Sequence, residues 1–149
     1  MNTAIRILTG RDHSKHELAQ KLKKRKYENE IIDQVISACE RFDYLNDERT
    51  AQLYVGQLKR KGYGKKRIRF DLNRKGLKGK RIQAILSRSV SEKEERECAL
   101  RVFQKQLKRF ESEEDSLKRK NKIYRYLYSR GFSETVISEL VKKSDKTVG

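Results

Sequence analysis

The residues best equipped for chemistry form one cationic run, Leu58-Lys59-Arg60-Lys61-Gly62-Tyr63-Gly64-Lys65-Lys66-Arg67-Ile68-Arg69. Apolar spacing ends one helix near Gly62 and starts another near Gly64. Lysine and arginine at both ends, beside the free N–H groups of a new helix, suit a phosphate or a carboxylate. Cations at a helix C-terminus also offset the dipole, but that does not account for Lys65, Lys66 and Arg67 at the next N-terminus. On the second helix Ile68 and Leu72 share an inward face. Phe70 points to the opposite side, with Lys66 and Arg74 one turn away. An aromatic among cations suits base stacking or anchoring in a protein interface; packing against a neighbouring unit is its other role. The expected contact set is Lys59, Arg60, Lys61, Tyr63, Lys65, Lys66, Arg67, Arg69, Phe70 and Arg74.

Bond-making chemistry has no comparable set. The two histidines, His13 and His16, lie near a helix start with no cysteine or carboxylate cluster to complete a metal site, and they read as exposed. Cys39 and Cys98 sit apart in apolar helical patterns and read as buried, reduced thiols. There is no Walker-type loop, dinucleotide fingerprint or nucleophile elbow. The expectation is a protein that binds rather than catalyses, with no cofactor.

The elements that position the cationic run come from an internal repeat. Shifted by fifty residues, Leu18, Leu22, Tyr27, Ile32 and Val35 fall on Ile68, Leu72, Leu77, Ile82 and Ile85; a further fifty-five brings Ile123, Leu127, Phe132, Ile137 and Leu140. Each copy reads as two short helices joined by a tight turn on a basic residue, at Arg25-Lys26, Lys75-Gly76 and Arg130-Gly131. With a leading helix each, the units span 1–45, 46–90 and 91–143, followed by a disordered tail over 144–149. Ser14-Glu17 and Ser91-Glu94 read as capping boxes, and Asn46 as an N-cap. The third helix of the first unit is expected to present Ile31, Ile32, Val35, Ile36, Cys39 and Phe42. Lys26 stands where the other turns have glycine, at a cost of about 1 kcal/mol if the turn needs positive φ. Tyr124, Tyr126 and Tyr128 cannot all face inward, so some of them line a surface.

Composition agrees. Hydrophobic residues make up 35% and charged residues 40%, enough for a thin layer of helices and too little for a multilayer core. Proline is absent and no strand pattern stands out, so the fold class is all-α. The net charge of +17 is concentrated between 46 and 91, where fourteen Lys/Arg face three Asp/Glu. That middle attracts polyanions. No run is long and apolar enough to span a bilayer, and no signal peptide follows the start; a soluble, cytoplasmic monomer is expected.

The segment Tyr44-Leu45-Asn46-Asp47-Glu48-Arg49-Thr50-Ala51, followed by Arg60 to Arg69 and Leu72-Asn73-Arg74-Lys75-Gly76, resembles the signature of the RecX family, bacterial regulators of the RecA recombinase. The resemblance implies an elongated, curved, right-handed or solenoid-like array of three tandem three-helix repeats. It implies binding in the groove of the RecA–single-stranded-DNA filament, where ATP hydrolysis, strand exchange and co-protease activity are suppressed and filament disassembly is favoured. Direct binding of single-stranded DNA is also implied, with double-stranded DNA left open. The alternative is a stand-alone helix-turn-helix DNA binder, with Arg67, Asn73 and Arg74 as base readers.

Overall fold

The computed structural model describes residues 1–148, with side chains described as far as Ser144. Among the described residues there are ten α-helices and no strand. The first repeat holds α1 (Asn2–Gly10), α2 (Lys15–Lys24) and α3 (Asn29–Arg41). The second holds α4 (Asp47–Arg60), α5 (Lys65–Arg74) and α6 (Lys80–Ser89). The third holds α7 (Glu92–Lys105), α8 (Leu107–Glu111), α9 (Ser116–Ser129) and α10 (Glu134–Val148).

Helix starts follow local chemistry. Ser14 accepts from the Glu17 amide at 3.0 Å while the Glu17 carboxylate accepts from the Ser14 amide, and Ser91 with Glu94 repeats this box. Asn46 caps α4 by accepting from the Arg49 amide at 3.1 Å. Asp115 caps α9 through the amides of Leu117 and Lys118.

The three turns share one backbone solution. The amides of Tyr27, Leu77 and Phe132 donate to the carbonyls of Leu22, Leu72 and Leu127, at 3.3, 2.9 and 3.3 Å. The residue before each is left-handed: Lys26 at φ 67°, Gly76 at 75° and Gly131 at 88°. This is a six-to-one helix ending, and its left-handed position is why glycine recurs. Lys26 carries the strain expected of it.

The third repeat adds a short helix, α8, to the expected three. Its leading helix stops at Gln106 (φ −107°, ψ 9°), whose amide turns back to the Phe103 carbonyl at 3.0 Å, and α8 follows. The second shift of the repeat exceeds the first by five residues, and α8 is itself five residues long. At the chain's end α10 runs on to Val148, past the expected tail boundary at 144, because neither glycine nor proline interrupts it. Gly149, the last residue of that expected tail, lies outside the described residues.

The chain divides into two compact units. One comprises Met1–Tyr54 and Asp71–Ile85, the other Val55–Phe70 and the chain from Leu86 onward. In the first, Ala4, Leu18, Leu22, Ile32, Cys39 and Leu45 form a buried cluster. Ile31 and Phe42 do not join it, at 44% and 61% exposed, since they lie off the Ile32–Cys39 stripe. In the second, Phe103 stacks on Phe110 at 5.7 Å and Phe110 meets the edge of Tyr126 at 5.8 Å. Ile123, Leu127, Phe132, Ile137 and Leu140 complete that core. Cys39 and Cys98 are free and buried, and burial raises both thiols above their ordinary value.

His13 corrects the expectation of exposure. It is 2% exposed, its Nδ1 lies 2.8 Å from the Arg11 carbonyl, and its Nε2 lies 2.6 Å from the Lys21 ammonium. These partners define a neutral ring that donates through Nδ1 and accepts at Nε2. Burial, with Arg11 and Lys21 nearby, holds its pKa below 6.5. Two local partners met the ring's polar needs, so a buried site was open to it. His16 is exposed, as expected.

Candidate functional site

The cationic run lies in the second unit at the end of α4 and the start of α5. Gly62, at φ 85°, ends α4, and the Tyr63 amide donates to the Leu58 carbonyl. The start of α5 is not open to an anion. The Gly64 amide donates to the Arg130 carbonyl at 2.7 Å, and the Lys66 amide to the Gly131 carbonyl at 3.1 Å. The backbone cradle expected at this N-terminus is thus filled by the turn after α9. Main-chain carbonyls supply the negative ends that a phosphate would otherwise supply.

The side chains divide into two groups. Tyr63 is half-buried between guanidinium groups, with Arg67 4.6 Å and Arg130 4.9 Å from its ring centre. Arg130 also donates to the Lys61 carbonyl at 2.9 Å. Lys59 is half-buried; it donates to the Ser89 carbonyl at 2.6 Å and pairs with Glu94. That hydrogen bond holds the Glu94 carboxylate below its ordinary 4.5. Tyr63, Arg67 and Lys59 are thus engaged within the protein. Lys65 is half-buried as well.

Arg60, Lys61, Lys66, Arg69 and Phe70 are exposed, Phe70 at 57%. They form the accessible part of the expected set in this unit. Arg74 ends α5 within the first unit and is also exposed. A cleft of about 440 Å³ beside this region is lined by Lys59, Arg60 and Arg101 together with Glu94 and Glu97. Mixed charge makes it a poor seat for a polyanion.

Sequence reasoning missed Arg130 and Glu94 as partners of this run. Arg130 carried a signal, since it occupies the basic turn position shared with Lys75. Lys75 does the equivalent in the first unit, with its ammonium 4.2 Å from the Tyr54 ring centre and 3.9 Å from Glu17. Glu94 carried none beyond its capping role. Of the three tyrosines of α9, Tyr126 is partly buried, while Tyr124 and Tyr128 stack exposed at 5.8 Å.

Among the described residues no cluster of three metal-ligating side chains exists, and no helix is long and apolar enough to cross a membrane. Tandem three-helix repeats with a cationic middle define an all-α helical repeat protein. Models of three consecutive domains match it in chain order: the RecX first three-helix domain at residues 1–39, the second at 46–86 and the third at 94–141. The chain belongs to the RecX family of regulatory proteins. It is 31% identical to the regulatory protein RecX of Serratia proteamaculans, covering 95% of each chain. It is 33% identical to that of Legionella pneumophila, over 95% of this chain and 92% of the relative. The crystal structure of RecX from Lactobacillus salivarius shares the fold, with a TM-score of 0.83 at 23% identity over 97% of this chain and 93% of that one.

Proposed function

We propose that this protein binds in the groove of the RecA–single-stranded-DNA filament and lowers ATP hydrolysis, strand exchange and co-protease activity. The observation that carries this reading is membership of the RecX family along the whole repeat array. The exposed cations Arg60, Lys61, Lys66 and Arg69 support it, because carboxylates of a filament wall and phosphates of its DNA attract them alike. A ligand that binds one filament state more tightly than another holds the filament in that state, and turnover slows without any chemistry from the ligand. The protein acts as a cytoplasmic monomer in this reading, with no cofactor.

A stand-alone helix-turn-helix mode would place the first residues of a recognition helix against base edges. At the start of α5 the backbone amides of Gly64 and Lys66 are engaged by the carbonyls of Arg130 and Gly131, and Arg67 stacks on Tyr63. That arrangement favours the filament reading over the DNA-only one.

The test is a titration of the protein into its cognate recombinase on single-stranded DNA, following ATP hydrolysis at fixed ionic strength. Inhibition at far fewer copies than recombinase protomers is expected. Inhibition that appears only when the DNA is coated, and vanishes with excess free DNA, would replace the filament reading with simple competition.

A further inference from the structure

The break between α7 and α8 accompanies a cavity of about 180 Å³ in the second unit, bounded by α7, α8, α9 and α10. Phe103, Phe110, Ile123 and Leu140 give it apolar walls. An apolar cavity of about 150 Å³ stays dry and takes up benzene, so this one accommodates a ring or a short alkyl chain.

Five polar side chains share the lining: Gln104, Glu111, Arg119, Lys143 and Ser144. Arg119 lines the cavity and is 8% exposed. One terminal nitrogen donates to the Glu113 carbonyl at 3.0 Å, and its Nε has no hydrogen-bond partner among the described residues. The Glu113 carboxylate is committed elsewhere, to Lys122 at 2.9 Å. Glu111, the one carboxylate in the lining among the described residues, is exposed at the end of α8. A guanidinium keeps its charge at any working pH, and a buried cation is costly unless an anion faces it. The protein thus holds, in one place, a cavity with apolar walls and a buried cation whose Nε has no partner among the described residues.

We infer that this cavity is a binding site for an apolar group bearing a carboxylate, its ring or chain seated among Phe103, Phe110 and Ile123 and its carboxylate on Arg119. A purely apolar ligand would leave the Nε donor unmet, and a phosphate diester would leave the phenylalanine walls uncovered. This goes beyond the filament reading and does not depend on it.

Calorimetric titration of the full chain with phenylbutyrate and with phenylbutanol tests the inference. The acid is expected to bind at least about tenfold more tightly than the alcohol, the size of one charge-assisted hydrogen bond. Arg119→Gln should abolish that preference. Because Arg119 is buried and the variant can misfold, Leu100→Trp provides a second reading. Leu100 lines the cavity at 36% exposure, so tryptophan there should block acid binding at an unchanged melting temperature. Equal affinity for acid and alcohol, no heat from the acid at its solubility limit, or undiminished binding by Leu100→Trp would each overturn the inference. A peptide ending in phenylalanine identifies the source. If its free-acid form displaces phenylbutyrate and its amide does not, the natural ligand is a protein segment; if neither displaces it, a small organic acid.

Discussion

Gly64 donates its backbone N–H to the carbonyl of Arg130 at 2.7 Å, and the same contact recurs one repeat earlier in another chemical form. Ser14, fifty residues before Gly64, donates its hydroxyl to the carbonyl of Lys75, fifty-five residues before Arg130. In both places the turn of one repeat covers the start of the second helix of the repeat before it. Gly76 there lies against His16, and Gly131 against Arg67, each too close for a β-carbon. The left-handed glycines thus serve both a helix ending and a close backbone approach.

Replacing Gly64 with alanine should therefore be costly. Its β-carbon would lie 2.5 Å from the carbonyl carbon and oxygen of Gly131 and from the Phe132 amide nitrogen, backbone atoms that cannot swing aside. Chemical denaturation should show a loss of about 1–3 kcal/mol, the range for overpacking. Gly10→Ala is the control, since nothing lies within 4 Å of its added carbon. It should be neutral or gain about 0.4–1 kcal/mol through the unfolded chain.

Lys26→Gly should stabilise the protein. Lysine at φ 67° bears a left-handed penalty that glycine lacks. Glycine's extra freedom in the unfolded chain returns part of the gain, leaving roughly 0.5–1 kcal/mol. Urea midpoints of the two proteins measure it. No gain would mean that the Lys26 side chain compensates through contacts of its own.

The turns, capping boxes and repeat offsets were legible because each depends on residue type at short range. Ser14 and Glu17 are three apart, and Leu22 and Tyr27 meet through the six-to-one bond their spacing implies. Most of what stayed hidden was long-range, and part of it was carried by groups every residue has. The carbonyls of Arg130 and Gly131 leave no mark in a sequence, so the start of α5 read as an open anion site. The Lys59–Glu94 pair joins residues thirty-five positions apart, and Glu94 was already accounted for by its cap. The break at Gln106 was visible only as a five-residue excess in the repeat spacing.

His13 should make stability depend on pH. Burial is the main cause that lowers its pKa below 6.5, so the unfolded chain takes up a proton that the folded chain refuses. The resulting stability is complete above 6.5 and declines as pH falls through that value toward the lowered folded pKa. Urea midpoints should drop between pH 7.5 and 5.5, and His13→Asn should remove part of that dependence. A wild-type and variant pair with parallel pH profiles would show that the ring titrates alike in both states.

Phe70 and Tyr63 separate recognition from packing within one cationic segment. Phe70 is 57% exposed, while Tyr63 is half-buried between Arg67 and Arg130. Phe70→Ala should weaken filament or single-stranded DNA binding by about tenfold to a hundredfold, the scale of one lost stacking contact, at an unchanged melting temperature. Tyr63→Ala should lower the melting temperature, because two guanidinium groups lose the ring they stack on. Charge reversal at exposed Lys66 and Arg60 should weaken binding and flatten its salt dependence, by about 0.7 in logarithmic slope for each cation that had met a single-strand phosphate. If the reversed protein binds with the affinity and salt slope of the original, these cations are not contacts. If Phe70→Ala melts early and binds normally once folded, its ring belongs to the packing and recognition lies on another face.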